Sequence, residues 1–197
     1  MTPPLARRNS GNQMKLPRTI RLDPSDTFVF EKAAEPGEWA VSGAFMFMDA
    51  DPETLTHKQR TAFRAGLLGV DSFGWSTLCV VSEASEDERA NLVETLAQRL
   101  MQHLGAPNMD EARAAAEEEV TFAQSLCNHP IQTILAVQRD VEEGEIRERF
   151  RTLHQREKDP HADPLHQYAR AFTLVEDDGD EIEEKVDLMG LMKSDRT

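Results

Sequence analysis

Two groups of residues in this chain are spaced for chemistry. In "SLCNHP", residues 125–130, Cys127 stands two positions before His129, with Pro130 directly behind. A thiol beside an imidazole is the pair that Cys/His enzymes use, the ring taking the proton and the thiolate attacking the substrate. That chemistry needs a lowered thiol pKa, supplied by a helix N-terminus or a nearby cation. The second group is "IRERFR", residues 146–151, which sets Arg147, Arg149 and Arg151 at every second position. On a strand these three guanidinium groups share one face and can dock an acidic partner. The alternative is a solvated strand face whose charges discourage edge-to-edge aggregation. His154, His161 and His166 follow in "HQREKDPHADPLHQ". No carboxylate or cysteine shares a regular element with them, so neither a metal nor another cofactor is expected.

The elements that must position these residues follow from periodicity. Asn108, with Glu111 three residues on, starts a helix through "MDEARAAAEEEVTFAQSLC", with Ala112, Ala116, Val120, Ala123 and Cys127 on one stripe. Cys127 therefore sits near a helix C-terminus, where the dipole disfavours a thiolate. Asn128 is expected as a left-handed terminator, and Pro130 pushes His129 out of helical geometry. "SLCNHP" reads as a stop signal first and as a catalytic pair, Cys127 and His129, second. Upstream, Ser85 and Glu88 form a capping box for a helix carrying Val93, Leu96, Ala97, Leu100 and Leu104, stopped by Gly105 and Pro107. A shorter helix is expected from Thr56, capped with Gln59, burying Phe63, Gly66 and Leu67 and ending at Gly69.

Alternation predicts the strands. Phe28 and Phe30, then Trp39, Val41, Gly43, Phe45 and Phe47, fall on every second position around "EPGE", where Pro36 and Gly37 suit a type II turn. An antiparallel pair is expected there. "WSTLCVVS", residues 75–82, reads as one buried strand containing Cys79. For "IQTILAVQRDVEEGEIRERFRTL" a helix stripe through Ile146, Phe150 and Leu153 competes with a three-residue hairpin that has Gly144 left-handed; the hairpin is preferred. It would put Ile146, Glu148 and Phe150 on the face opposite the arginines. Phe172, Leu174 and Val175 suit one more short strand.

The 197 residues suit one domain, here 16–153, behind a flexible leader at 1–15 and before a polar linker and acidic tail at 154–197; Met14 is an alternative start. A formal net charge of −14 argues against nucleic acid and anionic membrane as partners. No apolar run reaches a membrane span and no secretion signal is legible, so the cytoplasm is expected. Two cysteines make neither a disulfide framework nor a zinc ribbon. Phosphate-loop, dinucleotide, "HExxH" and serine-elbow patterns are missing, which lowers the expectation of an enzyme.

"LPRTIRLDPSDTFVFEKAAEPGEWAVSGAF", "GLLGVDSFGWSTL" and "LCNHPIQTILAVQRDVEEGEIRERFRTL" together resemble a family of small, uncharacterised proteobacterial domains of unknown function, over about residues 16–153. The resemblance carries no activity, cofactor or catalytic residue. The expected fold is α+β: a mostly antiparallel sheet of about five strands with two long helices and one short one packed on it. The expected function is a non-catalytic accessory or interaction protein whose partner is another protein. Its contacts would be Arg147, Arg149 and Arg151 and a docking tail presenting Val186, Leu188, Met189, Leu191 and Met192. In a variant of this reading the acidic tail folds back on the arginines. The alternative is a small enzyme or ligand-binding domain with a pocket lined by Trp39, Phe45 and Trp75, near Cys127 and His129.

Overall fold

The computed structural model describes residues 14–48, 50, 51, 53–155 and 172–175. The large sheet runs β1 (Lys15–Ile20), β5 (Leu78–Glu83), β6 (Ile134–Glu142), β7 (Glu145–Gln155), β8 (Phe172–Val175), each strand antiparallel to its neighbour. A small antiparallel sheet holds β2 (Ala40–Val41), β3 (Leu67–Gly69) and β4 (Gly74–Ser76). Two long helices, α3 (Glu86–His103) and α4 (Met109–Ser125), and the shorter α2 (His57–Ala65) complete the expected α+β architecture; α1 (Asp26–Val29) is a single turn.

The helices start where their caps dictate. The Ser85 hydroxyl accepts from Glu88 N–H at 3.2 Å while the Glu88 carboxylate accepts from Ser85 N–H at 2.9 Å, closing the capping box of α3. Thr56 and Gln59 close another on α2, and Asn108 Oδ1 accepts from Glu111 N–H at 2.9 Å on α4. Leu92, Leu96 and Leu100 of α3 then pack against Ala112, Ala116, Val120 and Ala123 of α4. The alanine stripe lets the helices approach, and each buried leucine contributes about 1.5–3 kcal/mol. Leu92 rather than Val93 is fully buried, and Leu104 is 44% exposed, because α3 stops at His103.

Several expectations are corrected between Ile20 and Leu78. The antiparallel pair of residues 28–30 and 39–47 does not form. Asp26–Val29 makes a helical turn that leaves Phe28 71% exposed and buries Phe30, and Ala44–Phe47 is a 3-10 turn. Tertiary hydrogen bonds override the alternation. The buried Asp26 carboxylate accepts from the Thr77 hydroxyl at 2.5 Å and from Thr77 N–H at 3.2 Å. The Pro36–Gly37 turn does form, with Gly37 at φ +93°, but its far side joins β1: Thr19 N–H donates to the Glu38 carbonyl at 2.8 Å.

"WSTLCVVS" is two strands in two sheets rather than one. Thr77 N–H is spent on Asp26, and the Ser76 hydroxyl donates to the Leu78 carbonyl at 2.8 Å, so the ladder breaks there. The helix from Thr56 ends at Ala65, not Gly69, and Leu67–Gly69 extends as β3.

The hairpin is confirmed against the helix for residues 145–153, with a tighter turn than expected. Glu142 pairs with Glu145, and Glu143 and Gly144 sit at φ +55° and +86°, the signature of a two-residue type I′ turn. Its twist matches that of the flanking strands. Asn128 is not left-handed; the next left-handed residue is Gln132 at φ +71°, seven residues beyond Ser125 and just before β6. The helix closes instead through a tighter bond, Cys127 N–H to the Gln124 carbonyl at 3.0 Å.

Candidate functional site

Cys127 is 2% exposed and packs with Cys79, Val81, Leu135 and Leu126 where the end of α4 meets the large sheet. Burial pushes its thiol up to about 12, against the opposing pull of the Lys15 charge. Cys79, fully buried, is raised well above its ordinary value by the same desolvation, then by Cys127 and Asp26. Neither is in a disulfide. The His129 carbonyl accepts from Lys15 Nζ at 2.8 Å, tying the end of α4 to β1. A nucleophilic thiolate needs the opposite environment.

The aromatic residues considered with them lie in another part of the core. Trp39, Phe45 and Trp75 pack against the group around Leu68, Val70 and the α3–α4 helices, and Arg18 stacks over the Trp39 ring at 3.8 Å. Trp75 also stacks on Phe47, ring centroids 5.2 Å apart. It is gripped between two glycines: a Cβ added at Gly43 would lie 3.0 Å from its ring, one at Gly66 2.8 Å.

The β6–β7 hairpin places the arginines. Alternation along β7 turns Ile146, Glu148 and Phe150 inward and Arg147, Arg149 and Arg151 outward. Arg147 pairs with Glu142 at 3.0 Å, and Arg149 with Glu142 at 2.9 Å and Asp140 at 3.8 Å. Arg151 lies opposite Ala136, so its β6 neighbour offers it no carboxylate. Exposed pairs of this kind contribute about 0–1 kcal/mol each.

Sequence reasoning missed the residues under this row. Arg139 and Glu148 face each other across the hairpin, 0% and 3% exposed, joined by a 2.5 Å bond from Nε to Oε1. The Ser42 hydroxyl donates to the same Oε1 at 2.6 Å. Arg139 Nη1 donates to the carbonyls of Phe63 at 3.0 Å and Gly66 at 2.7 Å, which are otherwise orphaned at the end of α2. Burial lowers the arginine's pKa, and the Glu148 charge opposes that shift. Glu148 Oε2 is buried with no hydrogen-bond partner among the described residues. One signal was present: Glu148 lies between Ile146 and Phe150 on the inward face, and the turn register puts Arg139 opposite it.

Beyond the hairpin, β8 pairs only with Thr152, Leu153, His154 and Gln155. The outer backbone edge of residues 145–151 has no strand against it among the described residues. His154 lies in β7; His161, His166, Val186, Leu188, Met189, Leu191 and Met192 lie outside the described residues. Among the described residues no group of three or more His, Cys, Asp or Glu could hold a metal, and no helix is long and apolar enough to cross a membrane.

Residues 14–170 match the family model of a family of unknown function, DUF6505. The chain belongs to this family. The DUF6505 match takes in β1 to β7 and ends two residues before β8, so it extends on both sides of the resemblance read from residues 16–153. No curated protein and no solved structure matches the chain.

Proposed function

We propose that this DUF6505 member is a non-catalytic, cytoplasmic interaction domain that takes an extended acidic segment of another protein along the outer edge of β7. One observation carries the reading: β7 is 11 residues long and the neighbouring β8 only 4, so among the described residues no strand lies against the backbone donors and acceptors of residues 145–151, beside three arginines. Strand addition supplies affinity through the main chain, and alternate side chains supply selectivity. Arg147, Arg149 and Arg151 would select carboxylates at every second position of the guest. Residues 186–192 would add a second, apolar contact. The buried, raised thiol of Cys127 weighs against the enzymatic alternative built on Cys127 and His129.

The test compares the wild-type protein with Arg147→Glu/Arg149→Glu/Arg151→Glu, each tagged and purified from its own host at low salt. The expected outcome is a polypeptide recovered in near-stoichiometric amount with the wild type and lost with the variant. Recovery of the same polypeptides by both removes the arginine edge from the function.

A further inference from the structure

The turn and register of the β6–β7 hairpin fix what the outer edge of β7 presents. Around a two-residue turn the flanking pair, Glu142 and Glu145, is of the hydrogen-bonded kind, so Glu145, Arg147, Arg149 and Arg151 direct their backbone groups at β6. The N–H and C=O of Ile146, Glu148 and Phe150 point the other way, where no strand lies among the described residues. Side chains alternate with them: the three arginines stand on the outer face, while Ile146 and Phe150, both half-buried, flank the buried Glu148 on the inner one. Glu148 is the anomaly. Its Oε1 accepts from Arg139 Nε at 2.5 Å and from the Ser42 hydroxyl at 2.6 Å, whereas Oε2, also buried, has no donor among the described residues. Arg139 stands on the β6 side of this carboxylate; on the side of the edge no described strand supplies a donor.

We infer that the partner segment taken along this edge is an antiparallel strand with two different faces: carboxylates opposite Arg151, Arg149 and Arg147, small apolar side chains opposite Phe150 and Ile146, and a hydroxyl opposite Glu148. The inference rests on the reading of the edge as a strand acceptor and specifies the guest. Antiparallel pairing sets each guest residue directly across from one of β7 and on the same face. The arginines occupy the non-hydrogen-bonded sites, where opposed Cα atoms come within about 4.5 Å and side chains meet most closely. A Ser or Thr hydroxyl across from Glu148 is small enough for the inner face and donates to Oε2, giving the buried oxygen its missing partner. A guest of acids alone would bring a second carboxylate to Glu148, and two buried like charges repel. An apolar residue there would leave Oε2 unpaired. A second copy does not fit the edge: two β7 strands joined antiparallel over five or more of residues 145–151 would set arginine against arginine. The guest is therefore a different protein, and its order of residues matters as much as its charge.

Synthetic peptides test this on the full-length protein by NMR titration, read at the amides of Ile146, Glu148 and Phe150. The peptide Glu-Val-Glu-Thr-Glu-Val, blocked at both ends, should shift these three amides. The same peptide with valine in place of threonine should bind about tenfold more weakly, because it leaves a buried charged acceptor unpaired. Moving the threonine, as in Glu-Thr-Glu-Val-Glu-Val, keeps composition and charge and should weaken binding at least as much. All changes are in the peptide, so the fold of the protein is the same in every titration. Equal affinity of the three peptides overturns the inference and leaves a merely acidic guest. Failure of the first peptide to bind, or shifts confined to other parts of the protein, overturns it as well. Shifts of the same amides on concentrating the protein alone overturn it in favour of a second copy, and resistance of these amides to exchange in the dilute protein overturns it because the edge is then already taken. The reading of the edge as an acceptor is judged separately, by the purification experiment with the arginine variant.

Discussion

The β6–β7 hairpin and the stretch from Ile20 to Leu78 meet at Arg139 but are held together by different physics. The hairpin is a run of nine paired positions closed by a two-residue turn, its ladder joining residues 3 to 19 positions apart in the chain. The other stretch holds six short elements that depend on distant side chains: Asp26 on Thr77, Thr19 on Glu38, Ser42 on Glu148. Buried carboxylates there do what ladders do in the hairpin. Regular ladders tolerate single substitutions; a polar network that must be wholly satisfied does not.

The largest break in that contrast should come from Arg139, where the two regions meet. Arg139→Met leaves Glu148 buried and unpaired and frees the carbonyls at the end of α2, at a cost of about 3–5 kcal/mol in urea unfolding. Arg139→Met with Glu148→Leu should recover much of that loss, since an apolar pair of similar volume carries no uncompensated charge. A double variant as unstable as the single one would mean that the contacts to α2 and Ser42, not the ion pair, hold the two regions together.

Gly43 sharpens the comparison from the irregular side. It stands at φ +80°, and an added Cβ would meet Leu68 Cβ at 2.7 Å; Gly105 stands at φ +67° with nothing within 4 Å. Gly105→Ala should cost about 1–2 kcal/mol, the price of a left-handed alanine alone. Gly43→Ala should cost about 1–3 kcal/mol more, because the packed neighbours must move. Equal unfolding midpoints for the two variants would show that Leu68 and Trp75 yield freely. At the regular extreme, Ser85→Ala removes one cap of α3 and should cost about 1 kcal/mol, with no change at Trp39 or Trp75 fluorescence before global unfolding.

The same division explains what was legible in the sequence. Helices α2, α3 and α4 were readable from Thr56, Ser85 and Asn108 because a cap and a stripe are local statements. The hairpin was readable from Gly144. The pair expected around Pro36 was not, because Asp26 and Glu38 bond to Thr77 and Thr19, outside the window of alternation; Phe28 keeps its strand-like spacing and lies in solvent. Arg139 was hidden by its type, a charge that composition assigns to the surface. The Cys127 stripe was legible, and with it the burial that holds the thiol up. A pH series sharpens that point: the raised pKa means stability fully present below the ordinary thiol value of 9.0 and lost as pH rises from there toward about 12. Iodoacetamide should accordingly label Cys127 in urea and spare it in the native protein at pH 8; rapid native labelling would reopen the Cys127 and His129 site.

The smallest expected effect is the most informative about the edge. Arg149 is half exposed and pairs with Glu142 and Asp140 across β6, so Arg149→Ala should change unfolding free energy by no more than about 0.5 kcal/mol. Edge-strand protection alone would be served as well by three lysines, each a hydrated point charge. Recognition of carboxylates at alternate positions favours the planar fork of arginine. Replacing all three arginines with lysine separates the two roles, since net charge and exposure are kept while bidentate pairing is lost. Unchanged stability with weakened capture of an acidic strand would assign the row to recognition. Unchanged stability with unchanged capture would reduce it to the charge that keeps an open edge apart from its neighbours.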